Sequence, residues 1–133
     1  MKVVDAKGLY RRFHVDKSDE RLDLFLGLVT RYGIRSALYP GSFVHVTPSL
    51  VIPKVVYADM DRRAPRFFAD PAVREAVRTR REYLQEPVIR FHHCDYADGI
   101  PEDDASFDLL ISQYAGFISA ACTRYLRRGG LLV

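Results

Sequence analysis

"CDYADGIPEDDASFDLLISQYA", Cys94 to Ala115, is the stretch of sequence that decides the fold. The apolar run Val88 to Cys94, which leads into it, predicts a strand. An acidic, turn-forming segment follows from Asp95 to Ser106. The next apolar run, Phe107 to Ser112, predicts a second strand of the short kind that is buried in parallel sheets. Two strands joined by a polar loop therefore form the centre of the sequence.

Helix patterns lie on both sides of this centre. Apolar residues recur at helical spacing between the cap Ser18 and the stop signal Gly33. Thr47 and Pro48 predict the start of a helix of at most about two turns. Longer helices are predicted from Asp70 to about Glu86, and from about Gly116 to Leu126 before the pair Gly129-Gly130. The predicted strands are Ile34–Tyr39, Lys54–Ala58, Val88–Cys94, Phe107–Ser112 and a fifth that begins at Leu131.

Strands that alternate with helices, and that are nearly continuous in apolar residues, indicate an α/β fold. We expect a three-layer sandwich with a mostly parallel sheet and helices on both faces. The chain has 133 residues and a mass of 15.3 kDa, the size of one domain. Residues 1–33 are interpreted as a helical lead-in and residues 34–133 as the core.

The composition places few limits on function. The net charge of +3 is too small to argue for a nucleic-acid partner. The N-terminal sequence lacks the apolar core of a secretory signal and no later stretch is long enough to span a bilayer, so a cytoplasmic location without membrane contact is expected. Cys94 and Cys122 have no paired spacing and are interpreted as small buried hydrophobic residues.

The stretch from Cys94 to Ala115 resembles the region after the third strand of class I S-adenosylmethionine-dependent methyltransferases, which have a Rossmann-like fold. In that family an Asp ends the third strand, an Ile-Pro or Leu-Pro pair follows in an acidic loop, and a Phe-Asp pair opens the fourth strand. Asp95, Ile100-Pro101 and Phe107-Asp108 occur here in that order. "VVYADMD" and "YLRRGGLLV" are similar to the family's second strand and to its turn into the fifth strand.

The turn "YPGSF", Tyr39 to Phe43, departs from the family pattern of spaced glycines. A glycine lets the backbone approach a ligand closely and adopt positive φ. Here Gly41 stands alone, Pro40 lacks an N–H, and Phe43 is bulky. The separation of Gly41 from Asp59 is nevertheless close to the roughly 20 residues that separate a glycine turn from its ribose-binding acid in dinucleotide folds. Two interpretations remain open, a working cofactor turn and a fold that has lost its cofactor site.

The resemblance implies S-adenosylmethionine as cofactor, bound at the carboxyl ends of the strands. Asp59 is expected to accept hydrogen bonds from the ribose hydroxyls, with Asp61 as the fallback and a solvated turn as the alternative role for Asp59. Asp95 is expected to accept from the adenine amino group, or else to cap its own turn. No catalytic base is assigned. The expected cofactor contacts are Tyr39, Gly41, Ser42, Asp59, Met60, Asp95, Tyr96, Ser112 and Gln113.

Three other features have plain structural explanations. His92 and His93 invite a metal site, but neighbouring residues of a strand point to opposite faces, so no metal is expected. His45 is near the cofactor turn, although a histidine in an apolar stretch is more often packed than catalytic. Arg74, Arg78 and Arg81 follow one side of a helix, where phosphates of RNA or DNA could bind, but glutamates interrupt them.

The leading hypothesis is a methyltransferase acting on an unidentified acceptor, with a small molecule favoured. Ser112, Gln113 and Tyr114 would lie nearest the methyl group, and Gln113 or Tyr114 could contact the acceptor. The alternative is a non-catalytic domain that keeps this fold for binding or assembly. A nicotinamide-dependent oxidoreductase is less favoured, because no G-x-G-x-x-G follows the first strand.

The sequence stops within the predicted fifth strand, which leaves an apolar sheet edge open. Exposed strand edges invite pairing with other chains. We therefore expect either that the chain is a fragment of a longer protein or that a second copy covers this edge.

Overall fold

Five parallel strands form one sheet in the order β3-β2-β1-β4-β5. The computed structural model describes residues 19–112 and 116–133. After β1 the chain moves outward through β2 and β3, then returns to place β4 on the other side of β1, as in doubly wound folds. The predicted parallel α/β architecture is confirmed. The strands are β1 (Ser36–Pro40), β2 (Lys54–Asp59), β3 (Val88–His93), β4 (Phe107–Leu110) and β5 (Leu126–Leu132).

Helices and 3₁₀ turns connect these strands. The predicted cap Ser18 lies outside the described residues, whereas Gly33 follows the first helix as predicted, with φ of 65°. None of the helices in the described part of the chain is long and apolar enough to cross a bilayer. The helices are α1 (Asp19–Tyr32), α2 (Ala64–Ala69), α3 (Pro71–Arg80) and α4 (Gly116–Cys122), and the 3₁₀ turns are Thr47–Leu50, Tyr96–Asp98 and Thr123–Tyr125.

Alternate residues of the strands enter two separate cores, which makes the three layers. Tyr39 and Tyr57 point into the core that α1, α2 and α3 cover. Leu38 and Val56 point into the opposite core, which α4 and its following turn cover through residues such as Ile118. These strand side chains are fully buried, and each large apolar side chain buried in this way contributes roughly 1.5–3 kcal/mol.

The prediction that a helix runs from Asp70 to Glu86 is right at its start and wrong at its end. The Asp70 carboxylate caps α3 by accepting from the Ala72 N–H at 2.8 Å. The helix ends at Arg80, because tertiary hydrogen bonds hold the next residues in another path. The Glu82 N–H donates to the Leu50 carbonyl at 2.9 Å. Neighbouring Tyr83 likewise donates to the Ser49 carbonyl at 2.6 Å.

The prediction for the region around Gly129-Gly130 is also wrong. We expected these glycines to stop a helix, but α4 ends at Cys122 and the glycines lie inside β5. The pairing of β4 with β5 shifts register beside them. A Cβ on Gly130 would lie 2.9 Å from the Arg127 carbonyl oxygen, so the irregular strand requires glycine there.

Two short elements differ from expectation for reasons of tertiary packing. Helix α2 was missed because it is brief, yet Phe67 and Phe68 fix it in the core, with the Phe68 ring stacked on Phe91 at 4.8 Å. Thr47 is not a helix cap, since Val46 occupies the cap position without a side-chain bond. A single 3₁₀ turn follows, with Pro48 in its first turn as predicted.

The two cysteines are free thiols. Cys122 is fully buried, as predicted, whereas Cys94 is half-buried. Burial raises the pKa of the Cys122 thiol to about 11. A thiol with so high a pKa is a poor nucleophile at neutral pH, which agrees with a packing role.

Asp108, of the Phe-Asp pair, connects the amino ends of three strands. Its Oδ2 accepts from the backbone N–H groups of Arg35 at 2.8 Å and Ser36 at 3.2 Å. Its Oδ1 accepts from Arg127 Nε of β5 at 2.6 Å. Burial alone would raise the pKa of Asp108, but the bonds from Arg127 and the two backbone groups outweigh it and hold the pKa below its usual range.

We predict that Asp108→Ala lowers the free energy of unfolding by about 2–4 kcal/mol, because three donors lose their acceptor. The carboxylate contributes fully above its ordinary pKa of 3.8. This contribution is lost as pH falls through the lower pKa of the folded state. Urea unfolding of both proteins at pH 7 and at pH values below about 4 measures the difference and its decrease in acid.

Asp104→Ala is the matched control. Its carboxylate pairs with Arg124 at 3.0 Å, but both side chains are more than half exposed, so the loss should stay within about 0.5 kcal/mol. Equal stability of the Asp108 and Asp104 variants at pH 7 would contradict the connecting role of Asp108.

Candidate functional site

The predicted site residues that the structure describes lie at the carboxyl edge of the sheet, where parallel α/β folds bind ligands. They fall at or just beyond the ends of β1, β2, β3 and β4. Gln113 and Tyr114 lie outside the described residues. The described members are Tyr39, Gly41 and Ser42 with β1, Asp59 and Met60 with β2, Asp95 and Tyr96 after β3, and Ser112 after β4.

The turn after β1 takes left-handed backbone conformations at two positions. Gly41 has φ of 67°, and its N–H donates to the Ala58 carbonyl of β2 at 2.7 Å. Phe43 has φ of 47°, which residues other than glycine seldom adopt. The 3₁₀ turn Thr47–Leu50 then stands where a nucleotide-binding fold usually has a helix, so a helix N-terminus does not support this turn.

Asp59 is the centre of the site's hydrogen bonding. Its Oδ2 accepts from the Phe43 N–H at 2.8 Å, and its Oδ1 accepts from the Asp61 N–H at 2.7 Å. Because a carboxylate offers about four lone pairs, each oxygen keeps one further acceptor position. The carboxylate is therefore oriented by the backbone while it retains acceptor capacity for a ligand.

Met60 and the end of β3 lie beside Asp59. The Asp59 carbonyl accepts from the Cys94 N–H at 3.2 Å, which brings Asp95 close to this position. His93 Nε2 lies 3.0 Å from the Met60 carbonyl oxygen. The Met60 side chain is 64% exposed and offers an apolar surface at the sheet edge.

The side chains of Tyr39 and Ser42 point into the protein. The Tyr39 ring is fully buried, and its hydroxyl lies 2.7 Å from His45 Nδ1. His45 is thus packed and hydrogen-bonded, as predicted for a histidine in an apolar stretch. Ser42 is also buried. Any contact of Tyr39 or Ser42 with a ligand would therefore involve backbone atoms.

Asp95 caps its own turn, which was the alternative to adenine recognition. Its Oδ1 accepts from the Ala97 N–H at 2.9 Å at the start of the 3₁₀ turn. Tyr96 packs against the core under α4. The Ser112 N–H donates to the Val133 carbonyl at 2.6 Å. Contact of these three residues with a cofactor stays a prediction.

The acidic loop is fixed by two contacts that the sequence pattern did not reveal. The Tyr125 hydroxyl accepts from the Ile100 N–H at 2.8 Å and donates to the Ile100 carbonyl at 3.1 Å. Glu102 Oε2 lies 2.8 Å from Arg90 Nη1 and 2.7 Å from His92 Nε2. Burial alone would raise the pKa of Glu102, but bonds from His92 and Arg90 outweigh it and lower the pKa.

The two neighbouring histidines that suggested a metal site make contacts within the protein. His92 reaches Glu102 while His93 reaches Met60, so these neighbours face different partners. Within residues 19–112 and 116–133, no group of three or more His, Cys, Asp or Glu side chains has the geometry of a metal site.

The arginines of the predicted stripe, on α3 and just after its end, make contacts within the protein. Arg74 donates to the carbonyls of Phe68 and Ile89. Arg78 pairs with Glu75 and Glu86. Arg81 donates to the carbonyls of Arg78 and Leu84.

The structure places three further residues beside the site that the sequence pattern did not predict there, namely Phe43, Arg63 and His93. Phe43 entered only as a departure from the glycine pattern. Arg63 has its guanidinium carbon 4.7 Å from the centre of the Phe43 ring. No periodicity or motif relates these two residues, because their contact depends on how β1 and β2 pair.

Comparison with solved structures identifies the fold. The YcgJ protein of Bacillus subtilis matches with a TM-score of 0.62 and 18% identity, over 86% of this chain and 49% of that one. A candidate methyltransferase, BH2331 of Bacillus halodurans, matches with a TM-score of 0.54 and 19% identity, over 85% and 49%. The Trypanosoma brucei PRMT1 enzyme-prozyme complex with S-adenosylhomocysteine matches with a TM-score of 0.57 and 15% identity, over 93% and 40%.

The chain has the Rossmann-like fold of class I S-adenosylmethionine-dependent methyltransferases, as the resemblance of its central stretch implied. It spans about half or less of the length of these three proteins. No known protein-family model and no curated protein matches its sequence.

We predict that Tyr125→Phe lowers the free energy of unfolding by about 1–3 kcal/mol, because the buried N–H and carbonyl of Ile100 lose their partner. Chemical denaturation measures the loss. Tyr32→Phe removes the same hydroxyl from a ring that is 47% exposed, and it should change the stability little. If both variants unfold at the same denaturant concentration, Tyr125 does not fix the acidic loop through Ile100.

Proposed function

We propose that the protein binds S-adenosylmethionine at the carboxyl edge of its sheet and transfers the methyl group to an acceptor molecule. The observation that supports this most directly is the Asp59 carboxylate, which two backbone N–H groups orient at the end of β2. The fold, and the binding of S-adenosylhomocysteine by the Trypanosoma brucei complex, also support it.

The described residues fit such a cofactor. Asp59 would accept from the two ribose hydroxyls with its remaining lone pairs. The exposed side chain of Met60, next to Asp59, would contact the adenine ring. Asp95 would accept a hydrogen bond from the adenine amino group, with the acceptor capacity that its capping bond leaves. The backbone of Gly41 and Ser42 would pass close to the methionine part.

The chemistry requires positioning above all. When bound, S-adenosylmethionine supplies an electrophilic methyl group. The protein's task is to hold the acceptor in line with that group and close to it, and to remove a proton only where the acceptor must lose one. No catalytic base is assigned among the described side chains. The cofactor site and the carboxyl ends of β1 and β4 would orient the acceptor relative to the methyl group.

A non-catalytic binding or assembly domain is the second candidate. It is favoured by the turn after β1, where Phe43 takes a left-handed conformation and no helix follows. The chain also spans about half or less of the length of its structural neighbours. The same turn lacks the glycine pattern that a nicotinamide-dependent enzyme would need.

For the acceptor we favour a small molecule over a nucleic acid. Arg78 of α3 is paired with glutamates and Arg74 is bonded to a backbone carbonyl, so phosphates would have to compete for both. A cytoplasmic location stays a prediction from the sequence.

We predict that Asp59→Asn weakens binding of S-adenosylhomocysteine by about 10-fold or more, because hydrogen bonds to a charged acceptor are lost. Titration calorimetry on both proteins measures this. Circular dichroism establishes that the variant is folded.

Asp104→Ala removes a carboxylate from the exposed acidic loop and should leave the affinity unchanged. No binding by the unaltered protein would overturn the methyltransferase proposal and favour the non-catalytic candidate. Equal binding by the Asp59 variant would show that the ligand does not use this carboxylate.

We also propose that two copies pair along β5, an edge strand of the sheet on which Leu132 is 51% exposed. The expected result is a concentration-dependent dimer in light scattering that Leu132→Lys weakens. Val88→Lys, on the opposite edge strand, is the control and should leave the dimer intact. A monomer of about 15 kDa at every concentration would contradict this pairing.

A further inference from the structure

A closed set of contacts links Asp59 to the turn after β1. The Phe43 N–H donates to Asp59 Oδ2 at 2.8 Å. The Phe43 ring carries the Arg63 guanidinium on its face, with 4.7 Å between the guanidinium carbon and the ring centre. Arg63 is thus connected through the phenylalanine to one oxygen of the Asp59 carboxylate.

The second path from Arg63 to Asp59 passes through Asp61. The Arg63 Nε lies 3.1 Å from Asp61 Oδ1, and a second guanidinium nitrogen lies 3.1 Å from Oδ2, so the pair is bidentate. The Asp61 N–H donates to Asp59 Oδ1 at 2.7 Å. The hydrogen bond from Arg63 lowers the pKa of Asp61, which keeps this partner charged.

These contacts explain how a phenylalanine occupies a position suited to glycine. Phe43 has φ of 47°, which is unfavourable for a residue with a Cβ. A strained backbone persists where the surrounding contacts determine it. Here the ring is held by Arg63 and the N–H by Asp59, so both ends of the residue are fixed.

We propose that Phe43 and Arg63 are positioning residues that hold the Asp59 carboxylate in the orientation that accepts a ribose diol. This inference rests on the proposed function, since it concerns the same site. Arg63 does not itself contact the ligand. It acts by fixing the Phe43 N–H and the Asp61 N–H, which orient the two carboxylate oxygens.

Titration calorimetry with two ligands tests the proposal. The ligands are S-adenosylhomocysteine and its 2′-deoxyribose analogue, which lacks one of the two hydroxyls. Arg63→Ala should weaken binding of the first about three- to fivefold, the effect of one exposed stacking contact. It should change the affinity for the deoxy analogue much less, because that ligand depends less on the orientation of Asp59.

A double-mutant cycle separates positioning from general loosening of the protein. Phe43→Gly removes the ring and gives the turn a residue that adopts positive φ freely. In that background Arg63→Ala should cause a smaller loss of affinity than in the unaltered protein, because only the path through Asp61 remains to be lost. Arg62→Ala is the matched control, because it removes a neighbouring exposed arginine and should leave both affinities unchanged.

The outcomes distinguish the two proposals. If the unaltered protein binds no S-adenosylhomocysteine, the proposed function and this inference both fall. If it binds and Asp59→Asn weakens binding, but Arg63→Ala behaves like Arg62→Ala, only the positioning role is wrong. Equal weakening of both ligands by Arg63→Ala, or an unchanged effect of it in the Phe43→Gly background, would also overturn that role.

Discussion

The alignment of parallel strand ends is the constraint on which the rest of the structure depends. Neighbouring strands of a parallel sheet leave backbone N–H groups at their ends, and such groups need acceptors. Asp108 supplies one carboxylate at the amino edge, where it connects β1, β4 and β5. Asp59 supplies another at the carboxyl edge, between the turn after β1 and the segment after β2.

The two carboxylates differ in which donors fill their acceptor positions. The Arg127 guanidinium donates to the remaining oxygen of Asp108. That carboxylate therefore has a structural role. Asp59 accepts from two backbone N–H groups and is left with acceptor capacity at the edge where α/β folds bind ligands. The same residue type therefore has a structural role at one edge of the sheet and is suited to a binding role at the other.

The turn after β1 keeps left-handed backbone conformations although it lacks the spaced glycines of the family pattern. Gly41 keeps the first left-handed position and bonds to β2. Phe43 takes the second, where Arg63 and Asp59 hold its ring and its N–H. The contacts of Phe43 with Asp59 and Arg63, at and after the end of β2, offset its unfavourable backbone conformation. The path of this turn is therefore compatible with both a cofactor site and a fold kept for binding.

The sequence alone determined the alternation of strands and helices, the parallel sheet and the position of Asp59 and Asp95 at strand ends. These follow from local signals, since burial on both faces gives continuous apolar strands and polar turns end them. It also carried the motif from Asp95 to Asp108 by which the fold was recognised. Tertiary structure decided where α3 ends, because Glu82 and Tyr83 bond to the segment after β1. It placed Gly129-Gly130 inside β5, and it brought Arg63 onto Phe43. Each of these depends on contacts between residues distant in sequence, which pairing of the strands creates and which no local pattern encodes.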